Sequence, residues 1–422
     1  MQIVIAGGTG FIGRKLAQAL HHRGHHVRIT TRSGHGGSVA VDYAAGVDVD
    51  ALAKELQGAD AVVNAIGIIR EHGDQTFARI HDQGPRALFA AAVAAGVPRL
   101  IQVSALGAER GTSDYFKSKK SADDFLLTLP LDWTIVRPAL VYGPGGTSAA
   151  LFNMMASLPV IPLPGDGKQQ VQPVHVDDLI EAIVRMIEGP AAVRECVEMT
   201  GPAPASFREY LQMLRSALGL GKARDLPIPH VLMSAAASIG SLSSRSLMDR
   251  QTLQMLEAGN VGDPEPLRRI LGREARGPAS FVNADEAANA RLRAQLSWLL
   301  PLLRYSMAAV WIWTGIVSLG LYSTEESYVL LARVGVEGTL ATLLLYGAAV
   351  LDLLLGLAIV FMHRRSAVWL AQIAVMLTFT VIISIWLPDY WLHPYGPILK
   401  NLPMLAGVVL LYVLEPEAEW DT

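Results

Sequence analysis

Three long, nearly uncharged runs toward the C-terminal end of this 422-residue chain restrict its fold more than any other feature. Residues 302–322 contain one charge, Arg304; residues 340–361 contain one, Asp352; residues 367–387 contain none. About 20 apolar residues in a helix cross the hydrocarbon of a bilayer, and a soluble helix bundle would need polar faces that these runs lack. A shorter run, 398–414, carries Lys400 and Pro403. From Pro301 onward only 14 of 122 residues are charged, against 30 basic and 29 acidic residues in the first 300. The expectation is a water-soluble part followed by an all-α domain of four transmembrane helices over 301–422.

The loop His363-Arg364-Arg365 is the most basic of the short loops. Positive loops stay inside, so it is expected in the cytoplasm, and an even helix count then puts the soluble part and the acidic tail Glu415–Asp421 there too. Trp386, Tyr390, Trp391 and Tyr395 would form an aromatic belt on the other side. This describes a multi-pass protein of a bacterial-type inner (cytoplasmic) membrane. Asp352, in mid-span, is costly in lipid and is expected to face the bundle interior. There it either forms a membrane site with Lys400, for a quinone head group or a proton relay, or makes a structural pair with Lys400 or a hydroxyl.

The balanced charge of the first 300 residues argues against nucleic acid as a partner. A single cysteine, Cys196, excludes an intrachain disulfide and a thiolate metal cluster. No signal peptide is expected, because residues 1–13 read as a strand and a glycine turn. His21, His22, His25 and His26 are interrupted by Gly24 and lack acidic company, so no metal site is expected.

Gln2–Ala6 is a short apolar run suited to a strand buried on both faces. It leads into a turn, Gly7-Gly8-Thr9-Gly10-Phe11-Ile12-Gly13, and then into helix-type spacing from Arg14 to His22. Gly7 permits the tight turn, Gly10 lets the backbone approach a pyrophosphate, and Gly13 lets helix and strand pack closely. Thr9, Phe11 and Ile12 complete the candidate cradle, and the diphosphate would lie on the helix N-terminus. A second strand, Val27–Thr31, ends in Arg32 where an NAD enzyme places an acid; a guanidinium there suits a 2′-phosphate, favouring NADP(H) over NAD(H). Asp42 is a candidate adenine contact. Further strand–helix units follow, with strands ending near Asn64-Ala-Ile-Gly67 and at Ser104 and a helix over Phe77–Ala95. This alternation implies an α/β fold with a parallel sheet, whose ligands bind at the carboxyl ends of the strands.

Gly7–Gly13, Asn64–Gly67, Val103–Gly107, Ser113-Asp-Tyr115-Phe-Lys-Ser-Lys119 and Arg137-Pro138 through Pro144 together resemble the atypical short-chain dehydrogenases/reductases. Within that superfamily they resemble the branch holding the 39-kDa NAD(P)-binding accessory subunit of respiratory complex I. Arg304 to Ser318 and Pro397 to Pro403 resemble the DoxX-like four-helix membrane family. The first resemblance implies a Rossmann-type domain over 1–225, with a small substrate lobe over about 145–225. Residues 226–300 are expected as an irregular helical linker, whose stretch Ile228–Gly240 is either a core helix or a membrane-surface segment.

A tyrosine is too weak an acid for neutral catalysis unless a cation favours its phenolate. Lys119 lies one helical turn from Tyr115 on the same face, so the pair is a candidate acid–base unit with Ser104 polarising a substrate carbonyl. The resemblance adds contacts of Tyr115, Lys119 and Pro138 with the cofactor. Arg137 through Gly146 reads as a strand and then a turn, where Tyr142 either closes over the nicotinamide or belongs to a Gly/Pro connection into the second lobe. Asp177 is read as a helix N-cap and His175 as a packed strand residue. The function expected is a membrane-anchored NAD(P)H-dependent oxidoreductase acting on a carbonyl of an apolar quinone, prenyl compound or lipid. The alternatives are a non-catalytic NAD(P)H-binding sensor or assembly module of a membrane complex, and a nucleotide-sugar epimerase or dehydratase.

Overall fold

A computed structural model describes residues 1–34, 37–229, 231–233, 256–257 and 259–415, and most of Ile228–Gly240 lies outside them. The chain divides into two compact units, Met1–Ala294 and Gln295–Thr422.

The first unit is built on seven parallel strands, β1 (Gln2–Ala6), β2 (His26–Thr31), β3 (Val39–Ala40), β4 (Ala61–Asn64), β5 (Arg99–Val103), β6 (Asp132–Pro138) and β11 (Glu195–Met199). Their order is β11-β6-β5-β4-β1-β2-β3, so the winding reverses beside β1. That switch point opens a crevice at the carboxyl ends of β1 and β4. Alternate side chains of β1 enter opposite layers. Ile3 and Ile5 pack with Leu16 and Leu20 of α1 (Phe11–His22) and with α6 (Val176–Glu188). Val4 and Ala6 pack with α2 (Val49–Leu56), α3 (Gly84–Ala94) and α4 (Asp114–Leu127). A π-type turn, Ala78–Gln83, precedes α3 where the sequence reads as one helix.

The smaller lobe joins α5 (Thr147–Ser157) and α7 (Phe207–Ala217) around Phe152, Tyr210 and Leu163. Three short pairings support it: β7 (Val141–Tyr142) with β10 (Val174–His175), β9 (Gln170–Val171) with β12 (Ala205–Ser206), and β8 (Val160–Pro164) with β13 (Arg224–Ile228). Residues beyond 258 also pack on this unit. Helix α8 (Glu265–Leu271) lies on α6, and its last carbonyls, Ile270 and Leu271, accept from Arg185 Nη1. Asp178, fully buried, accepts from Arg273 at 2.9 Å and from the Arg276 amide at 2.7 Å. Helix α6 begins one residue earlier than its expected cap, Asp177. His175 caps it instead, its Nδ1 accepting from the Asp177 amide, and the Asp177 carboxylate in the first turn pairs with Arg276.

The second unit contains most of α9 (Ala287–Ile316), then α10 (Thr324–Arg333), α11 (Gly338–Phe361), α12 (Ser366–Trp386) and α13 (Asn401–Leu414). Among the described residues, three of its helical stretches are long and apolar enough to cross a membrane. The fourth expected span is not: α13 has 14 residues, about 21 Å of helix. The Pro- and Gly-rich stretch Pro388–Pro397 delays its start to Asn401. Ion pairs mark the two ends of this bundle. At one end Glu415, just past α13, pairs with Arg304 of α9 (Nε–Oε1 2.5 Å) and lies 3.9 Å from Arg365, at the start of α12. At the other, Arg333 at the end of α10 pairs with Asp389 at 2.6 Å, just past α12. Thus α13 returns the chain to the end where the apolar part of α9 begins.

Candidate nucleotide and carbonyl site

The glycine turn follows β1 at the switch point. Gly7 has φ +78°, in the left-handed region that favours glycine. A Cβ on Gly13 would lie 2.2 Å from the Gly7 carbonyl oxygen, so only glycine lets α1 start this close to the turn. Gly10 caps α1 with no side-chain acceptor, leaving the N–H groups of Phe11, Ile12 and Gly13 without helical partners. Thr9 and Gly10 are exposed beside them. A backbone cradle that any Cβ would fill, at a helix N-terminus, fits a dinucleotide pyrophosphate.

Arg32 follows the last residue of β2, is exposed, and makes no hydrogen bond or ion pair among the described residues. Thr31 fixes the start of the loop through Ser38 Oγ at 2.7 Å and the Gly34 amide at 3.0 Å. Asp42 is exposed, but its Oδ1 accepts from the amides of Ala44 and Ala45, a turn-forming task. The Asn64 side chain departs from its expected cofactor role. It is fully buried, donates to Gln102 Oε1 at 2.6 Å and accepts from the Ile66 amide at 3.1 Å, so both its polar atoms are engaged inside the protein. Gly67 is exposed above Lys119; a Cβ there would lie 3.4 Å from Nζ.

Tyr115 and Lys119 stand on one face of α4, whose N-terminus Ser113 caps. Tyr115 is half-buried, with its ring edge-to-face against His81 and Phe77 at 5.1 and 5.8 Å. Its hydroxyl has no hydrogen-bond partner among the described residues, which leaves it available to a ligand. Lys119 is buried and donates to the carbonyls of Ile66 and Val103, each at 3.2 Å; its third N–H remains free. Burial pushes the Tyr115 phenol up to about 12, opposite to the lowering by Lys119 expected from the spacing. Burial also brings Lys119 down to about 8, despite the opposing charge of Asp123.

Ser104 is turned away from its expected role. Its hydroxyl donates to Asp123 Oδ2 at 2.7 Å, and both residues are buried. Arg137 lies between Asp123 and Glu109, at 3.5 and 3.0 Å. Pro138 is buried, its carbonyl accepting from the Leu106 amide. Tyr142 does not reach the crevice rim: it is buried in the small lobe, donates to Asn153 Oδ1 at 3.0 Å and stacks on Phe281 at 4.8 Å.

Two residues of this neighbourhood escaped sequence reasoning. Asp123 extends the stripe of Tyr115 and Lys119 by one more helical turn, and that spacing could have found it. His81 could not have been found this way, because a bend of non-α helix aims it. Its Nε2 accepts from the Ile68 amide at 3.0 Å, so Nδ1 carries the hydrogen and donates to Ser118 Oγ at 3.1 Å. Burial and the Lys119 charge hold this ring neutral, down to about 2.

Fold, cradle and tyrosine–lysine pair define an NAD(P)-dependent oxidoreductase of the short-chain dehydrogenase/reductase type, joined to a helical membrane domain. Residues 3–197 match the NAD dependent epimerase/dehydratase family, and residues 308–409 match the DoxX-like family. The chain is 31% identical over 249 residues to the ceramide reductase of Caulobacter vibrioides, covering 56% of this chain and 76% of that protein. It is 28% identical over 227 residues to subunit 9 of the NADH dehydrogenase [ubiquinone] 1 alpha subcomplex of Arabidopsis thaliana, covering 50% of this chain and 56% of that one. The structure of the human epimerase family protein SDR39U1 with NADPH superposes with a TM-score of 0.53 at 22% identity, over 70% of this chain and 99% of that chain. The protein belongs to the epimerase/dehydratase family and carries a C-terminal DoxX-like domain.

Proposed function

We propose that the first unit reduces the carbonyl of a membrane-partitioned molecule with NADPH, and that among quinone, prenyl and lipid carbonyls a lipid is its substrate. The observation that carries this is the free Tyr115 hydroxyl on the Lys119 face of α4, in a chain that also carries apolar helices. A water-soluble substrate would need no such helices, and a relative named for reduction of a ceramide favours a lipid. When bound, NADPH supplies the hydride to the carbonyl carbon. Tyr115 supplies the proton to the carbonyl oxygen; burial makes it a weaker acid, so the transfer relies on the Lys119 charge one turn away. Lys119, protonated, stabilises the phenolate left behind. Ser104 acts through Asp123 rather than on the carbonyl, which makes it a positioning residue. NADPH oxidation by the detergent-purified protein with an extract of its native membrane lipids tests this, with Tyr115→Phe as control. Turnover in the unmodified protein alone supports the reading; binding of NADPH without turnover in either overturns it.

The engagement of Ser104 by Asp123 favours a second reading, a non-catalytic nucleotide sensor within a membrane complex, and the kinship with a complex I subunit agrees with it. That same absence of turnover would promote it. Conversion of a nucleotide sugar with no net NADPH consumption would identify epimerase or dehydratase chemistry.

Because the proton donor leaves as phenolate, the rate of reduction is expected to fall as pH rises through about 8, where Lys119 loses its charge. A profile of kcat against pH checks this, and a flat profile across that range refutes it. For the cofactor, the Arg32 guanidinium, unpartnered among the described residues, supports the preference for NADPH. Arg32→Glu is expected to weaken NADPH by about tenfold or more, the loss of one charge-assisted bond, and to leave NADH unchanged by calorimetry.

The soluble unit and the C-terminal end are proposed to be cytoplasmic. Support comes from the basic residues His363, Arg364 and Arg365 beside the bundle end where Arg304 and Glu415 meet. With Cys196 replaced by Ser, Arg364→Cys should react with a membrane-impermeant maleimide only after cells are permeabilised. Labelling of intact cells would reverse the orientation.

A further inference from the structure

Buried polar atoms inside a membrane bundle are expected to find partners, yet one group of them does not. Among the described residues, the indole N–H groups of Trp311 and Trp369, Oδ1 of Asp352 and both amide atoms of Gln372 have no hydrogen-bond partner. All four residues are buried: Gln372 is 0% exposed, Trp369 1%, Trp311 7% and Asp352 8%.

Helix packing places Trp311 and Asp352 at one interior level, and one apolar cluster joins Trp311 to the stripe of α12 that carries Gln372. A Cβ on Gly315 of α9 would lie 2.8 Å from the Ala349 carbonyl oxygen of α11, and one on Gly356 of α11 would lie 2.9 Å from the Ile312 amide nitrogen of α9. These helices therefore touch at two rungs through small residues. Trp311 falls between Ala308 and Gly315 on the facing stripe of α9, and Asp352 falls between Ala349 and Gly356 on that of α11. The two stand at the intermediate rung. Trp369 and Met376 of α12 belong to the same apolar cluster as Trp311 and Leu355, and Gln372 lies between them on one stripe of α12.

We infer that this rung is a ligand site for the head of an apolar molecule that both accepts and donates hydrogen bonds, a lipid head with a carbonyl or amide beside a hydroxyl. The donors at this rung are two indole N–H groups and the Gln372 amide, which call for a ligand oxygen acceptor. The Asp352 carboxyl oxygen and the Gln372 carbonyl call for a ligand O–H or N–H. A bare hydrocarbon tail would leave all of them unpaired. This site lies in the second unit, so its test reads binding rather than turnover and stands whether or not the reductase reading survives.

The full chain in detergent is titrated with N-hexanoylsphingosine, whose head carries an amide and hydroxyls, and the tryptophan emission is followed. Dodecane and decylubiquinone serve as comparison probes, the first without a polar head and the second bearing only acceptors. A saturable shift with N-hexanoylsphingosine is expected. Gln372→Leu should weaken it by about tenfold or more, and Trp369→Phe, which keeps an aromatic ring but loses the N–H, by roughly threefold to tenfold. Unchanged NADPH affinity and monodisperse elution report that each variant is folded. Equal affinity in Gln372→Leu, equal binding of dodecane, tighter binding of decylubiquinone, or no saturable shift (water alone serving these groups) would each overturn the inference.

Discussion

Tyr115→Phe is expected to slow carbonyl reduction by about 10²–10⁴-fold, the usual contribution of a positioned acid–base group, while NADPH affinity and thermal midpoint stay as they are. The substitution deletes one oxygen and keeps the ring that packs on His81 and Phe77. That oxygen makes no hydrogen bond to the described residues, so no protein partner is orphaned by its loss. The effect should fall on kcat rather than KM, because proton transfer belongs to the transition state. Single-turnover decay of the reduced nicotinamide, with saturating substrate, separates this from binding. Retention of more than about a tenth of the rate would remove Tyr115 from the chemistry. Ser104→Ala serves as the internal contrast. Its hydroxyl already binds Asp123, so its loss should disturb the site by leaving the buried carboxyl with only the long Arg137 contact at 3.5 Å, and should lower stability as well as rate.

What the sequence made legible was local. Strand β1 falls on Gln2–Ala6 as expected, because a short apolar run before a glycine turn admits little else. The facing of Tyr115 and Lys119 follows from helix geometry alone. The errors arose where a side chain's partner is distant in sequence. Ser104 and Asp123 are 19 residues apart, Asn64 and Gln102 are 38 apart, and in each case the polar group is taken up by the protein. Tyr142, just before a Gly/Pro turn, reads as a residue that closes over the nicotinamide or enters the second lobe; Phe281 and Asn153 draw it into the lobe. Strand β13 was hidden by Pro227, which a strand at a two-stranded edge tolerates. The span of α13 was misjudged because hydropathy counts apolar residues, whereas proline decides where the helix starts. Its direction depends on Arg304 and Glu415, 111 residues apart.

Gly13→Ala carries the second large effect. The added Cβ would meet the Gly7 carbonyl oxygen at 2.2 Å, the Gly7 carbonyl carbon at 2.8 Å and the Gly8 Cα at 2.9 Å. All three are backbone atoms and none can swing aside, so α1 must move away from the turn. Overpacking of this kind costs about 1–3 kcal/mol, and the displaced helix no longer presents its first N–H groups to the pyrophosphate. Nucleotide affinity should drop by about 5- to 150-fold, that energy converted at 1.4 kcal/mol per decade, and the thermal midpoint should fall with it. Gly10→Ala separates the two consequences. Gly10 is exposed, and its Cβ would meet only the Gly7 oxygen, at 3.2 Å, so this variant should fold normally and still bind NADPH poorly through its clash with the ligand. Calorimetric titration of both variants, beside their thermal unfolding, resolves the cases. If Gly13→Ala binds NADPH within about threefold of the unmodified protein, this turn is not the nucleotide cradle. If Gly10→Ala loses stability as much as Gly13→Ala, the glycines serve packing alone.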